Sequence, residues 1–407
     1  MTDASQNERC AGLLKSPAAN LHHQGECGMK IAYIGSRGFP GFNAGVEKSL
    51  EEICPRMAAR GHEMTLYCSE QVTTSEPSYK NTFLHSMPAI PTKHLETFSR
   101  TILSAWDALF RNYDIVHFHS IGPALLSWLT RFGSCKTVVT VHGLDWQRAK
   151  WGALARSSLQ AGEKASVFFP DQTIVVSQHL KRYLESHYHK EVVYIPNGVN
   201  TAVPLPAKQI HEKWGLSPKD YLLFASRLVP EKECHTLIQA FQSLETDKKL
   251  VIAGASWHSD DYVAKLKKMA QGNPRIIFTG WAEGEILTEL YSNAYLYCLP
   301  STIEGLSLAL LEAMSFGLCP LVSDIPENLD VIEGNGVSFK TGDAKDLARR
   351  LREMIENSVG TQRLGAFARE AVLAQYSWDR NCEDLERTYL ELCEGVPQRN
   401  LKYATAA

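Results

Sequence analysis

The sequence predicts an α/β protein built from two doubly wound, Rossmann-like units in tandem with a crevice between them. Three observations carry this. Short apolar runs of strand length alternate with helical stretches. The alternation stops at a turn-rich, helix-poor segment, IPNGVNTAVPLPAKQ, and then restarts. The chain of 407 residues is long for one hydrophobic core and comfortable for two.

Residues 1–28 are polar and aperiodic and are predicted to be a disordered extension ahead of Met29. KIAYIG then reads as a buried strand, followed by a glycine-rich loop, GSRGFPGFNAG, and a helix over about Val46 to Arg60. That helix carries Val46, Leu50, Ile53 and Met57 on one face, and Gly61 closes it before the strand MTLYC. Further on come DIVHFHS, ALLSWLTRF, KTVVTVHG, a helical stretch from Trp151 to Ser166, QTIVVS, HLKRYLESHY and VVYIP. Parallel pairing follows from strands joined through helices. The first domain is thereby placed at 29–200. A second, at 201–376, runs through YLLFASRL, KLVIAG, RIIFTG, AYLYCLP, SLALLEAMSF and CPLVSD, and a helical segment at 377–395 ends it.

Composition narrows the class. Apolar residues at 44%, charged residues at 21% and a net charge of −3 describe an ordinary folded protein and give no reason to propose a nucleic-acid partner. No run of about 18 apolar residues spans a bilayer, and MTDASQNERC lacks the start of a secretory signal, so a cytoplasmic location is expected. The ten cysteines are scattered with no C-x-x-C pair, and most are read as reduced, buried apolar residues.

Chemistry concentrates in three segments. In the loop from Gly35 to Gly45, glycines let backbone N–H groups approach an anion, and the next helix presents its positive end. The glycines fall at 35, 38, 41 and 45, which is not the G-x-G-x-x-G fingerprint and argues against a nicotinamide enzyme; a plain strand-to-helix turn is the other reading. In SRLVPEK, Arg227 ends a strand and Lys232 follows in a loop, two cations at the carboxyl edge of a parallel sheet where a diphosphate fits. They can neutralise a departing nucleoside diphosphate without a metal, and the sequence has no D-x-D carboxylate clamp. Surface charges flanking a loop are the alternative.

The strongest segment is STIEGLSLALLEAMSFG. Glu304 sits on a loop, Gly305 permits a tight approach, and an apolar helix begins near Leu306 with free N–H groups for phosphate oxygens. Glu312 lies within that helix among Leu310, Leu311, Ala313 and Met314, where an unpaired carboxylate is costly. Sugar hydroxyls can partner it, or it faces solvent. His119 and His142 end strands of the first domain, where they either orient sugar hydroxyls or serve structure.

Gly45 in its loop, VHG at His142, IPNGV at Ile195 to Val199, SRLVPEK, and E-x7-E from Glu304 to Glu312, in this order, resemble the retaining glycosyltransferase family 4 over about residues 29–395. GSRGFPGFNAGVE, VHGLDWQRAKW and AGASWHSDDYV are most similar to bacterial capsule and exopolysaccharide rhamnosyltransferases. The resemblance implies a GT-B fold, with two Rossmann-like domains facing a central cleft and the 377–395 helix crossing back onto the first domain. It implies Arg227 and Lys232 on the diphosphate, with N–H donors from Gly305, Leu306 and Ser307. Glu312 would hold the ribose hydroxyls, Glu304 and His142 would meet the donor sugar, and Gly45 would line the diphosphate and acceptor side. Where many members pair two glycines in the first loop, this chain has Asn43-Ala44-Gly45.

The implied reaction moves a sugar, with retention, from dTDP-rhamnose or a UDP- or GDP-hexose to a glycan or lipid-linked acceptor in polysaccharide biosynthesis. It needs no cofactor and no metal. Retention is explained by a front-face substitution, in which a departing phosphate oxygen takes the acceptor's proton and Glu304 stabilises the oxocarbenium-like centre. A hydrolysing sugar-nucleotide epimerase and a non-catalytic nucleotide-sugar-binding protein are the competing readings. Trp106, Phe110 and Arg111, then Trp146, Arg148, Lys150 and Trp151, mix aromatic and basic residues. The mixture fits either peripheral contact with the inner membrane face or core packing with solvated cations.

Overall fold

The computed structural model describes residues 28–38, 45–71, 76–90, 92, 95–148, 151–256 and 259–394. The predicted N-terminal extension, apart from Gly28, lies outside these residues, as do the middle of the first glycine-rich loop and Lys150.

The first sheet holds β1 (Lys30–Ile34), β2 (Glu63–Ser69), β3 (Ser78–Tyr79), β4 (Thr82–Met87), β5 (Ile115–His119), β6 (Lys136–Val141), β7 (Gln172–Val175) and β8 (Val193–Tyr194). Its order is β3-β4-β2-β1-β5-β6-β7-β8, parallel except for the β3–β4 hairpin at the edge. The second sheet is wholly parallel. It contains β9 (Tyr221–Ala225), β10 (Lys249–Ala253), β11 (Ile276–Gly280), β12 (Leu296–Leu299), β13 (Cys319–Ser323) and β14 (Val337–Phe339), in the order β11-β10-β9-β12-β13-β14. Strands such as KIAYI and YLLFA are apolar along their whole length because helices cover both faces of a parallel sheet. The two-domain GT-B architecture expected from the sequence is therefore present.

Strand order fixes where ligands can go. It reverses between β1 and β5 in the first sheet and between β9 and β12 in the second. At such a switch point the connecting helices leave to opposite faces, opening a crevice at the carboxyl ends of the strands. The glycine-rich loop leaves β1, SRLVPEK leaves β9, and STIEG leaves β12.

The chain crosses between domains twice. Val199 pairs with Ser377, and the Asn381 amide donates to the Pro196 carbonyl at 2.7 Å. A Cβ on Gly198 would stand 2.2 Å from the Trp378 nitrogen, so only glycine allows this crossing. The helix Trp378–Glu394 then lies along the helix Gly45–Ala59, where Arg56 pairs with Asp379 at 3.2 Å and Arg60 with Glu386 at 2.9 Å. Leu306 and Leu308 of the second domain pack against apolar clusters of the first.

The sequence-based element list has no counterpart for β4 or for the helix Glu96–Ala108. That helix buries Arg100, Thr101 and Ser104 and exposes Phe98, Ile102 and Trp106. Its apolar stripe therefore marks the outside. Cys54, Cys234, Cys298, Cys319 and Cys382 are buried free thiols, as expected.

Candidate active site

The loops leaving β9 and β12 are tied together. The Thr302 N–H donates to the Glu231 carbonyl at 2.9 Å, and Lys232 Nζ reaches Glu304 Oε1 at 2.5 Å. This pair is shielded from solvent: burial pushes the Lys232 ammonium below its ordinary range, while Glu304 opposes the shift by favouring the charged form. Arg227 is lowered too, by burial first and then by Arg148. SRLVPEK and STIEG, 72 residues apart at the ion pair, thus form one charged site at the switch point.

The helix Leu308–Ser315 starts here, capped by Ser307, whose hydroxyl accepts from the Leu310 N–H at 3.4 Å. The first N–H groups of a helix have no intrahelical partner and can serve phosphate oxygens. Gly305 is there for space. A Cβ at this position would lie 1.7 Å from the His142 carbonyl oxygen, so the two domains touch backbone to backbone at Gly305 and His142–Gly143.

Glu312 has protein partners. Lys48, on the helix that Gly45 opens, forms an ion pair with its Oε1 across the cleft, and the Tyr291 hydroxyl donates to Oε2 at 3.4 Å. Gly45 is exposed, and a Cβ there would meet nothing within 4 Å, so its value lies in the backbone rather than in clearance.

On the first domain, the histidines form a stack in which His117 and His119 are buried and His142 is half-buried. His117 lies on His119 with ring centroids 4.4 Å apart, and His119 Nδ1 is 3.0 Å from His142 Nε2. His117 is held by the Tyr389 hydroxyl at 2.6 Å and the Thr140 hydroxyl at 2.7 Å, and Tyr389 also contacts Tyr33 at 3.0 Å. Burial takes His142 down to about 4, with Asp145 opposing, and His117 down to about 3. His119 is driven well below the ordinary imidazole range by burial and by its two neighbours. All three are neutral near pH 7, able to exchange hydrogen bonds without adding charge.

Two contributors were not singled out as site residues from sequence. Arg148 pairs with Asp145 at 3.1 Å and is influenced by Glu231 and Glu304 of the opposite domain, making it a third cation beside Arg227 and Lys232. Glu47 is buried and accepts the Arg37 N–H at 3.0 Å, bracing the first glycine-rich loop; burial raises its carboxyl. Spacing alone could not place Arg148 at the site, because Glu231 and Glu304 belong to the other domain. The aromatic and basic mixture divides accordingly. Trp146 turns inward and donates to Glu163 at 2.5 Å, and Arg148 faces the cleft, whereas Trp106 and Phe110 are exposed.

Residues 43–203 match the family model described as Glycosyltransferase Family 4, and residues 207–371 match Glycosyl transferases group 1. Between them the two models take in most of the chain, which belongs to the glycosyltransferases of this two-domain, family-4 type. A glycogen synthase of Bacillus cereus is 22% identical over 376 residues, covering 73% of this chain and 77% of the relative. Among solved structures, sucrose-phosphate synthase from Thermosynechococcus elongatus superposes with a TM-score of 0.80 at 21% identity, over 90% of this chain and 100% of that one. The HepE protein of Anabaena, solved with UDP and glucose, superposes with a TM-score of 0.74 at 18% identity, over 89% and 100%.

Proposed function

We propose that the protein is a retaining, metal-independent glycosyltransferase that carries a sugar from a nucleoside diphosphate sugar to a glycan or lipid-linked acceptor in polysaccharide assembly. The observation that carries this reading is the shielded Lys232–Glu304 pair beside Arg227 and the N-terminus of the helix Leu308–Ser315. Cations and helix N–H groups at a sheet switch point suit a diphosphate leaving group.

In this reading Arg227 and Lys232 take up the charge that grows on the diphosphate as the bond from the anomeric carbon breaks. The bonding electron pair leaves with the phosphate oxygen. The acceptor oxygen attacks from the same face and gives its proton to that departing oxygen, so configuration is kept. Glu304, anchored by Lys232, faces the cationic sugar carbon, and His142 orients a sugar hydroxyl. Glu312 accepts the ribose hydroxyls. Because Arg227, Lys232 and the helix N-terminus supply the positive charge, no step needs a divalent cation.

The HepE neighbour's UDP and glucose put UDP-glucose first among donors to try, and the resemblance to rhamnosyltransferases adds dTDP-rhamnose. The test is incubation of the protein with each donor and a panel of glycan and lipid-linked acceptors in a chelator, with the new linkage read by NMR. A product with the donor's anomeric configuration supports the proposal. An inverted product, or turnover only after magnesium is restored, contradicts it.

A further inference from the structure

The helix Glu96–Ala108 is built the wrong way round for a core helix. Toward the protein it turns Arg100, Thr101, Ser104 and Ala105; toward solvent it turns Phe98, Ile102 and Trp106, with Phe110 completing the i, i+4 row just past its end. Trp106 is 58% exposed and Phe110 is 70% exposed, and their rings meet edge to face at 5.8 Å. Beside this helix, the short 3-10 segment Ser127–Phe132 adds a second pair, with Phe132 78% exposed and Trp128 5.9 Å from it. Isolated surface apolar residues need no explanation, but exposed aromatic pairs on two adjoining elements mark a contact surface.

Its charges favour one partner. Both carboxylates of the helix face are committed within the protein: Glu96 to Arg100 at 3.3 Å and Arg37 at 3.5 Å, Asp107 to Arg111 at 2.5 Å and the Tyr67 hydroxyl at 2.7 Å. Arg131, by contrast, is exposed and has no carboxylate partner among the described residues. In a 3-10 turn, residues three apart eclipse, so Arg131 projects beside Trp128. Tryptophan and phenylalanine bordered by an unneutralised arginine are the groups that settle at the boundary of an anionic bilayer.

We propose that this face docks the protein onto an anionic phospholipid surface. The stripe starts at the lip of the cleft, since Glu96 pairs with Arg37 in the loop leaving β1. A surface-bound enzyme would meet a lipid-linked acceptor at that lip, a consequence that rests on the transfer reading; the docking does not.

The experiment is flotation of the full chain with vesicles of phosphatidylcholine alone and of phosphatidylcholine mixed with phosphatidylglycerol, at low and high salt. Wild type is expected to float with the anionic vesicles, less so at high salt. Trp106→Ser combined with Phe110→Ser, and separately Arg131→Glu, should lose most of that binding, and nucleoside diphosphate binding serves as the check that each is folded. Wild type left in solution with both vesicles, or variants that float as well as wild type, overturns the proposal. A wild-type dimer that the double substitution makes monomeric also overturns it, assigning the face to a second copy. Wild type that docks but transfers no sugar would count against the transfer reading alone.

Discussion

Lys48 and Glu312 join the two domains across the cleft, the lysine from the second turn's edge of the first domain's opening helix and the glutamate from the helix behind the STIEG loop. The carboxylate proposed for the ribose hydroxyls is thus held by a protein cation. On the proposed reading, nucleotide and lysine compete for it. Glu312→Gln is expected to weaken nucleoside diphosphate binding by about tenfold, the scale of one charge-assisted hydrogen bond. Lys48→Met is expected to tighten it. Calorimetric titration of both variants decides; a Lys48→Met protein that binds more weakly would mean the lysine serves the ligand itself.

Arg227→Ala and Lys232→Ala each remove a cation from the site proposed for the developing phosphate charge. Turnover should fall by a few orders of magnitude, about 3 to 4 kcal/mol of transition-state stabilisation. Lys232→Ala carries the additional cost of leaving Glu304 without its buried partner. Steady-state rates with a saturating donor provide the check, and near-normal turnover in both variants removes the diphosphate assignment.

Gly305→Ala probes the backbone contact between domains. The new methyl would sit 1.7 Å from the His142 carbonyl, so the loops must part. Turnover should drop by about a hundredfold, in line with the cost of a 1 Å displacement at a reacting centre. Gly45→Ala, where a Cβ has open space, should be far milder. Equal losses in the two variants would contradict this view of Gly305.

Much of this was legible beforehand, and the exceptions have a common cause. Local patterning located most of the strands and the switch-point loops that carry Arg227, Lys232 and Glu304, because apolar runs and glycine-rich turns are properties of contiguous sequence. The Lys48–Glu312 pair, Arg148 at the cleft and the His117–Tyr389 contact depend on segments hundreds of residues apart or on opposite domains, which periodicity cannot bring together. The helix Glu96–Ala108, absent from the sequence reading, also breaks the usual inference from hydrophobic face to buried face, because its apolar stripe faces outward.

The histidine stack makes stability sensitive to acid. An unfolded imidazole titrates near 6.5, whereas folded His142 titrates near 4 and His117 near 3. Between these values the unfolded chain binds more protons, so their contribution to stability is fully present above about pH 6.5 and is lost as pH falls toward 4 and 3. The melting temperature should decline across that window, and less steeply in a His117→Gln protein. A His117→Gln profile superimposable on wild type would contradict the account.

The most direct test of the central claim is nucleotide binding. UDP, GDP, dTDP and ADP, each with and without magnesium, are titrated into wild type and Glu312→Ala and followed by thermal shift and calorimetry. The donor site described above predicts that at least one nucleotide raises the melting temperature of wild type without metal, and that the effect shrinks in Glu312→Ala. Failure of all four to bind, or binding only with magnesium and unchanged in the variant, would contradict it.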